Sequence, residues 1–424
     1  MHLGLFLLAA GHHAGGWRFP GAESGTVNFE LISRIARTAE DAKFDMVFFG
    51  DRLVTSKDSH PLMITRPDPL IVLAMLAAQT RRIGLAATAS TTYSDPFTLA
   101  RAFASVDLLS RGRAAWNIVT TVQDGSGNFS RQHHPEPEER YAIAQEFVEV
   151  VRGLWRSWDT DPYVRDKERG IYVDTDKLHT LNHVGTYFQV KGPLNVTRSA
   201  QGEPVLIQAG SSGPGQQLGA RYAEVIFTAQ QDLQAAQDFY TALKQQVRAA
   251  GRDAAQVKVM PGLMPIVGAT SAEARDKLAQ LQAFTDQSKA HYMLSAELDF
   301  DLTGYDLDAP VPALPVDGTT FSRRKLLLKL ASDKQLTLRQ LYHHVASSRG
   351  HQVVAGTAEQ IADHMQHWVD AGAADGFNIM PAYFPGGFEE FTQQVVPILQ
   401  ERGQFRHDYS GTTLREHLGL AHRG

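Results

Sequence analysis

Eight short apolar runs, separated by stretches with helical periodicity, restrict this 424-residue chain to few architectures. The runs are His2–Leu8, Phe44–Phe49, Ile83–Thr88, Ala114–Thr120, Pro204–Ala209, Ala223–Thr228, Val257–Val267 and Gly376–Met380. Strands covered on both faces of a parallel sheet read as continuous hydrophobic runs, whereas a half-exposed strand alternates. Between them lie amphipathic stretches. Asn28 is a helix cap ahead of the face Leu31, Ile32, Ile35, Ala36, Ala39 and Ala42. Further helices are expected at 70–79, after Pro96, and at about 138–158, 232–250, 357–371 and 388–399. Strands alternating with such helices imply parallel β/α units, and eight strands close a barrel. An open sheet wound on both faces gives the same local pattern, but no dinucleotide fingerprint stands at an early strand-to-helix turn. The expected fold is α/β, a (β/α)8 TIM barrel forming one domain over residues 1–424. Two insertions interrupt it, at about 159–200 and 270–350. The second opens with a helix and passes through the acidic, Pro-rich segment 298–317, as expected of a lid or binding loop.

The absence of Cys excludes disulfides, thiolate metal sites and Cys nucleophiles. A net charge of -5 with 43% hydrophobic residues gives no case for nucleic acid or a membrane surface as partner. Small molecules or proteins are expected instead. Residues 1–10 lack a basic region and a cleavage site, so they read as a first strand, not a signal peptide. No stretch reaches the roughly 18 apolar residues of a membrane span, and a cytoplasmic location follows.

A barrel places its site at the carboxyl ends of the strands. There stand Asp51 after the second strand, Ser90, Thr91 and Thr92 after the third, and Asn117 and Thr120 at the fourth. The fifth strand runs into Gly210-Ser211-Ser212-Gly213-Pro214-Gly215, where backbone N–H groups and two hydroxyls form a phosphate cradle. The plainer reading is a polar turn with Ser as helix cap. A P-loop is excluded because no Lys is present, and the glycines at 210, 213, 215 and 219 do not fit G-x-G-x-x-G. This ring of neutral donors with one carboxylate suits a polar organic ligand with a phosphate tail better than a divalent metal, so no metal ligands are assigned. Of the pairs His12-His13, His133-His134 and His343-His344, most are expected on the surface or in hydrogen-bonded loops. His12 is the exception, in the loop after the first strand, with Trp17 and Arg18 expected to wall a pocket beside it.

Taken together, these residues resemble the bacterial luciferase-like flavin monooxygenases, in the branch of nitrilotriacetate monooxygenase component A, dibenzothiophene-sulfone monooxygenase and the pristinamycin synthase large subunit. The signposts are Gly11-His12-His13 with Trp17-Arg18, Phe48-Phe49-Gly50-Asp51, Ser90-Thr91-Thr92-Tyr93 with Pro96, and Trp116-Asn117-Ile118-Val119-Thr120. Further along come Glu139-Arg140-Tyr141, Leu154-Trp155-Arg156-Ser157-Trp158, Gln208-Ala209-Gly210-Ser211-Ser212 and Gly356 to Asp363. The resemblance covers nearly the whole chain. It implies an oxygenase component that takes reduced FMN (FMNH2) from a separate NAD(P)H:flavin reductase, in a dimer or tetramer. By position, Asp51, Thr92, Asn117 and Tyr141 contact the flavin ring or ribityl chain, Ser211 and Ser212 hold the phosphate, and His12 stands near the reacting end. One position departs: the family pattern has a His four residues before the Tyr, where this chain has Pro137. His133 and His134 are the nearest replacements.

The implied chemistry uses O2 and a flavin C4a-(hydro)peroxide to oxidise a small organosulfur or aminopolycarboxylate-type substrate. The oxidising power is the cofactor's, while the protein positions the substrate and excludes water. Arg18, Arg323 and Arg324 are candidates to pair an anionic substrate. The competing readings are a deazaflavin-dependent oxidoreductase on the same barrel, a metal-dependent hydrolase and a non-catalytic flavin-binding protein.

Overall fold

The chain begins in the middle of its own sheet. In the computed structural model, which describes residues 1–8, 10–23, 25, 27–57, 64–210, 212–316 and 322–423, β1 (His2–Phe6) pairs in parallel with two neighbours. These are β2 (Met46–Phe49) and β8 (Gly376–Ile379), so the first and last barrel strands adjoin. Between them run β3 (Gly84–Ser90), β4 (Ala114–Val119), β5 (Val205–Gln208), β6 (Val225–Thr228) and β7 (Lys258–Val267). Every consecutive pair is parallel, and the β6–β7 pairing closes the ring. The barrel expected from the sequence is therefore the one formed, in place of an open sheet wound on both faces.

Side chains alternate across the wall, as the pleat requires. Met46, Phe48, Ala86, Ala115, Val205, Ile207, Val225, Phe227 and Met260 fill the inside. Val47, Phe49, Leu85, Ala87, Trp116 and Leu206 pack outward under the helices. Those helices are α1 (Phe29–Asp41), α2 (Pro69–Gln79), α3 (Pro96–Leu109), α4 (Pro137–Trp155), α5 (Gly213–Tyr222) and α6 (Leu233–Ala249). Asn28, Asp68, Asp95 and Asp232 cap four of them by accepting backbone N–H groups. An oxygen at that position satisfies a donor that the first helical turn leaves open.

The amino-terminal end of the barrel is stoppered by the carboxy-terminal tail. Leu414, Leu418 and Leu420 enter the inner cluster. Arg415 donates to both oxygens of Glu224, at 2.7 and 2.9 Å, with both side chains 3% exposed. Burial opposes the charge on Glu224, but Arg415 and Arg423 outweigh it and hold the carboxyl below the usual range.

Both excursions lie where the sequence breaks rhythm. The first forms two small hairpins, Tyr163–Asp166 with Ile171–Val173 and His183–Val184 with Gln189–Val190. The second forms α7 (Ser271–Ala283), α8 (Ala290–Leu298), α9 (Ser322–Lys334) and α10 (Leu338–Ser348). These gather a core of their own around Leu294, Leu298, Leu327, Leu341 and Tyr342, with Ala14 of the loop after β1 packed into it. The chain then returns in a strand the sequence reading omits, Gln352–Gly356, which pairs with Leu263–Val267. Thus the second half of β7 passes beyond the ring and serves as a mooring. Helix α11 (Ala358–Asp370) follows, with Thr357 and Gln360 forming a capping box. Among the described residues, no helix is long and apolar enough to cross a membrane.

Candidate active site

At the carboxyl ends of the strands a cavity of about 410 Å³ opens. Its walls come from the ends of β3, β4 and β5, from the segment after β2, and from α4 and α9. Strand register explains the polar lining. Thr88 and Asn117 are register partners two residues beyond Ala86 and Ala115, so they face the barrel interior one layer above the apolar filling. Asn117 Nδ2 donates to Thr88 Oγ1 at 2.8 Å, and Thr88 lines the cavity. The Asn117 side-chain oxygen, Oδ1, is buried with no hydrogen-bond partner. An acceptor in that state costs stability unless a ligand or water satisfies it. The next layer is Ser90, which lines the cavity and accepts N–H groups from Thr92 at 3.1 Å and Tyr93 at 3.2 Å. Thr92 is fully buried and its Oγ1 has no partner. Asp51 lines the cavity, and burial pushes its carboxyl up from the ordinary value.

The β5-to-α5 turn supplies the other end. Ser212 is the N-cap of α5, accepting the Gly215 N–H at 3.2 Å. Its Oγ also lies 3.0 Å from the hydroxyl of Tyr141, which lines the cavity with Gln208, Ala209 and Gly210. The plain cap reading therefore holds for Ser212, whose hydroxyl stands one hydrogen bond, through Tyr141, from the cavity wall. Glycine is needed here for space: a Cβ on Gly215 would lie 3.0 Å from Ser212 Oγ and 3.1 Å from Tyr141 Oη. A Cβ on Gly210 would lie 2.3 Å from Gln208 Nε2. Ser211 falls outside the described residues.

His12 sits below the rim. Its Nε2 donates to the Phe6 carbonyl at 2.8 Å, which leaves Nδ1 as the unprotonated nitrogen. Its ring packs edge-on to Phe6, 4.5 Å between centroids, and a Cβ on Gly50 would touch that same Phe6, so the Phe6 ring lies between His12 and Gly50. Burial pushes its pKa down to about 3, and the imidazole is neutral at physiological pH. Phe6 also packs on Phe48 and Phe227, which close the lumen beneath the site. On the far side of Phe227, His351 stacks in parallel at 4.9 Å.

The segment between β4 and α4 is held by His134. Tyr93 Oη lies 2.7 Å from its Nδ1, and Arg140 Nη1 donates to its Nε2 at 2.6 Å. Arg140 also donates to the carbonyls of Thr121 and Val122. With Nε2 accepting from a guanidinium, the proton of neutral His134 resides on Nδ1. Pro137 is in the first turn of α4, where its missing N–H is not needed. His134 thus shapes the cavity wall, while His133 is exposed.

The structure brings Asp51, Asn117, Tyr141 and Ser212 to one mouth, directly or through one hydrogen bond. Trp17 and Arg18 do not wall it. Trp17 is 45% exposed, and Arg18 donates to the Phe284 carbonyl and stacks on that ring at the end of α7. The sequence reading assigns no role to Gln208 or Arg52. Gln208 hides as the last residue of an apolar strand, and Arg52 follows an already conspicuous Asp51. Among the described residues, no three His, Asp or Glu side chains gather to hold a metal ion.

A family model described as luciferase-like monooxygenase matches residues 1–375. The chain is 50% identical over 423 residues to N-acetyl-S-(2-succino)cysteine monooxygenase of Bacillus subtilis, covering 99% of this chain and 96% of that protein. It is 44% identical over 439 residues to nitrilotriacetate monooxygenase component A of Aminobacter aminovorans, with 99% and 96% covered. Among solved structures, a riboflavin lyase with modified FMN and substrate riboflavin superposes with a TM-score of 0.86 at 32% identity, covering 99% of this chain and 96% of that one.

Proposed function

This chain belongs to the luciferase-like monooxygenase family and is a flavin-dependent monooxygenase; from that premise we propose that it is the oxygenase component of a two-component system. In this reading it takes reduced FMN from a separate NAD(P)H:flavin reductase and uses O2 to oxidise a small organosulfur or aminopolycarboxylate-type substrate. The observation that carries the reading is the run of the cavity from Asp51 and the Thr88–Asn117 pair to Gly210 and the Tyr141–Ser212 hydroxyl pair. Such a site offers a ring-sized polar floor at one end and an anion seat on a helix N-terminus at the other. Support also comes from the relative nitrilotriacetate monooxygenase component A and from a structural neighbour holding modified FMN.

The residues fit the cofactor. Buried orphan atoms on Thr92, Asn117 and Gln208 await hydrogen-bond partners. Bound reduced FMN supplies two electrons, so that one oxygen atom of O2 enters the substrate and the other leaves as water. Ser212, by its hydroxyl, and the α5 N-terminus hold the phosphate, with Tyr141 fixing the Ser212 rotamer. Asn117, Thr92 and Asp51 orient the ring and ribityl chain. Neutral His12 offers Nδ1 as a hydrogen-bond acceptor near the reacting end. The α7–α10 excursion covers the mouth and excludes water.

The test is anaerobic titration with reduced FMN, then turnover under heavy-isotope O2 with a flavin reductase present. One labelled oxygen atom in the product is expected. Absence of affinity for reduced FMN, or label found only in water, rejects the proposal.

A further inference from the structure

We propose that Arg52 and Arg323 clamp a substrate carrying at least two carboxylates, and that Glu297 occupies Arg323 until a substrate carboxylate replaces it. This deepens the monooxygenase reading and rests on it, narrowing the substrate to a polyanion with an oxidisable centre between its acid groups.

The clamp follows from which charges reach the cavity. Its charged lining consists of Asp51, Arg52 and Arg323, an excess of cation in a chain whose net charge is -5. Arg52 emerges at the end of β2, and its Nε is buried with no hydrogen-bond partner. A guanidinium N–H in that state is a donor lacking its acceptor. Arg323 arrives from the first turn of α9, some 270 residues further along the sequence. Its carboxylate partner, Glu297 at the end of α8, stands at 3.5 Å, with the side chains 46% and 24% exposed. That is a loose, screened pair, and a substrate carboxylate making two parallel N–H···O bonds displaces it readily.

The surroundings reinforce the sign. Arg66 donates to the Gly50 carbonyl at 3.0 Å, directly before Asp51. Burial, together with Arg323, Arg66 and Arg52 acting against Glu297, pushes Arg349 down to about 10, so four guanidinium groups share one field. Asp51, the lone carboxylate of the lining, is itself pushed up by burial and by Asp68. A neutral thioether or alkane would leave this field unanswered, whereas two carboxylates answer it and place the atoms between them over the floor of the cavity.

The flavin phosphate is a second anion able to meet these arginines, and the experiment separates the two. The probes are thiodiglycolate and 3,3′-thiodipropionate, each beside its dimethyl ester, tested for oxidation with a flavin reductase and for calorimetric binding to the FMN-loaded protein. The variants are R52Q, R323Q and E297Q, with FMN and riboflavin affinities measured for each. Both diacids should bind and turn over in preference to their esters. R52Q and R323Q should raise KM about tenfold or more with kcat nearly unchanged, the mark of lost uniform binding. E297Q should lower KM, since it releases Arg323. The ratio of FMN to riboflavin affinity should not move in any variant.

Failure of both diacids to bind at millimolar concentration, or equal turnover of the esters, overturns the clamp. So does a rise in KM with E297Q, which makes the pair merely structural, and so does collapse of the FMN-to-riboflavin ratio in R323Q, which gives the arginines to the cofactor. If the diacids bind but nothing is oxidised with the flavin reductase present, nitrilotriacetate included, the two-component oxygenase reading fails while the clamp stands.

Discussion

Replacing Ser212 by Ala separates its two roles by measurement. As the N-cap of α5 the hydroxyl accepts the Gly215 N–H at 3.2 Å, and removing a cap costs about 1 kcal/mol of stability. As a phosphate ligand the same hydroxyl donates to an anion, and losing a hydrogen bond to a charged group costs about 1.5–3 kcal/mol, or roughly 10- to 150-fold in affinity. The hydroxyl hydrogen can rotate toward the phosphate while the lone pairs face Gly215 and the Tyr141 hydroxyl at 3.0 Å, so the roles are compatible. Riboflavin lacks the phosphate and reports the cap alone. The assay is anaerobic titration of reduced FMN and reduced riboflavin into wild type and S212A, followed by quenching of intrinsic fluorescence. FMN should weaken about 10-fold or more beyond any change for riboflavin, and Tyr141→Phe in the same background should add less than it does alone. Equal weakening of both ligands refutes the phosphate role and leaves Ser212 a cap.

Other outcomes follow from the same geometry. Gly215→Ala should fold, because the Gly215 position is helical, yet lose FMN affinity about 10-fold as the new Cβ crowds Tyr141 Oη and Ser212 Oγ; unchanged affinity removes the cradle. Arg415→Met leaves Glu224 buried beside the half-exposed Arg423 and should cost about 3 kcal/mol in urea unfolding while FMN affinity holds, since the pair lies at the opposite end of the barrel. His12 and His13 are both pushed down to about 3 by burial. Each therefore stays neutral when folded but protonates when unfolded below about pH 6.5, so stability falls as pH drops, by about 2 kcal/mol per His between pH 7 and 5. Asp107, pushed up to about 6 by burial, takes up a proton in the folded state and offsets about 1 kcal/mol over that interval. His13→Asn keeps an acceptor for the Gly15 N–H and should shrink the loss between pH 7 and 5 by about 2 kcal/mol; an unchanged loss contradicts the assignment.

The barrel was legible because each of its strands is buried on both faces. Val47 faces the helices while Met46 and Phe48 face the lumen, so no polar alternation interrupts the run. The strand Gln352–Gly356 escaped notice for the opposite reason: it pairs only with the overhanging half of β7, and its middle is half-exposed and unremarkable in sequence. α9 was also missed, since Leu326, Leu327 and Leu328 are consecutive and draw no single face. In the site, Asp51 and Asn117 were readable from their places at strand ends. His134 was not assignable, because its role depends on Tyr93 and Arg140 converging on its two nitrogens. Arg18 misled because nearness in sequence to His12 does not fix direction, and its guanidinium turns to the Phe284 carbonyl.

Strand β7 outlasts the ring it belongs to, and the polypeptide that departs at Val267 rejoins beside the same strand at Gln352. Departure and return are thus neighbours, so the length of what hangs between them scarcely strains the joint, the entropy of closing a loop rising only with the logarithm of its size. The excursion that brings Arg323 to the cavity is in effect a cassette on a fixed bracket. Exchanging it for another of different length and charge should retune which molecules enter while the staves beneath keep their alignment.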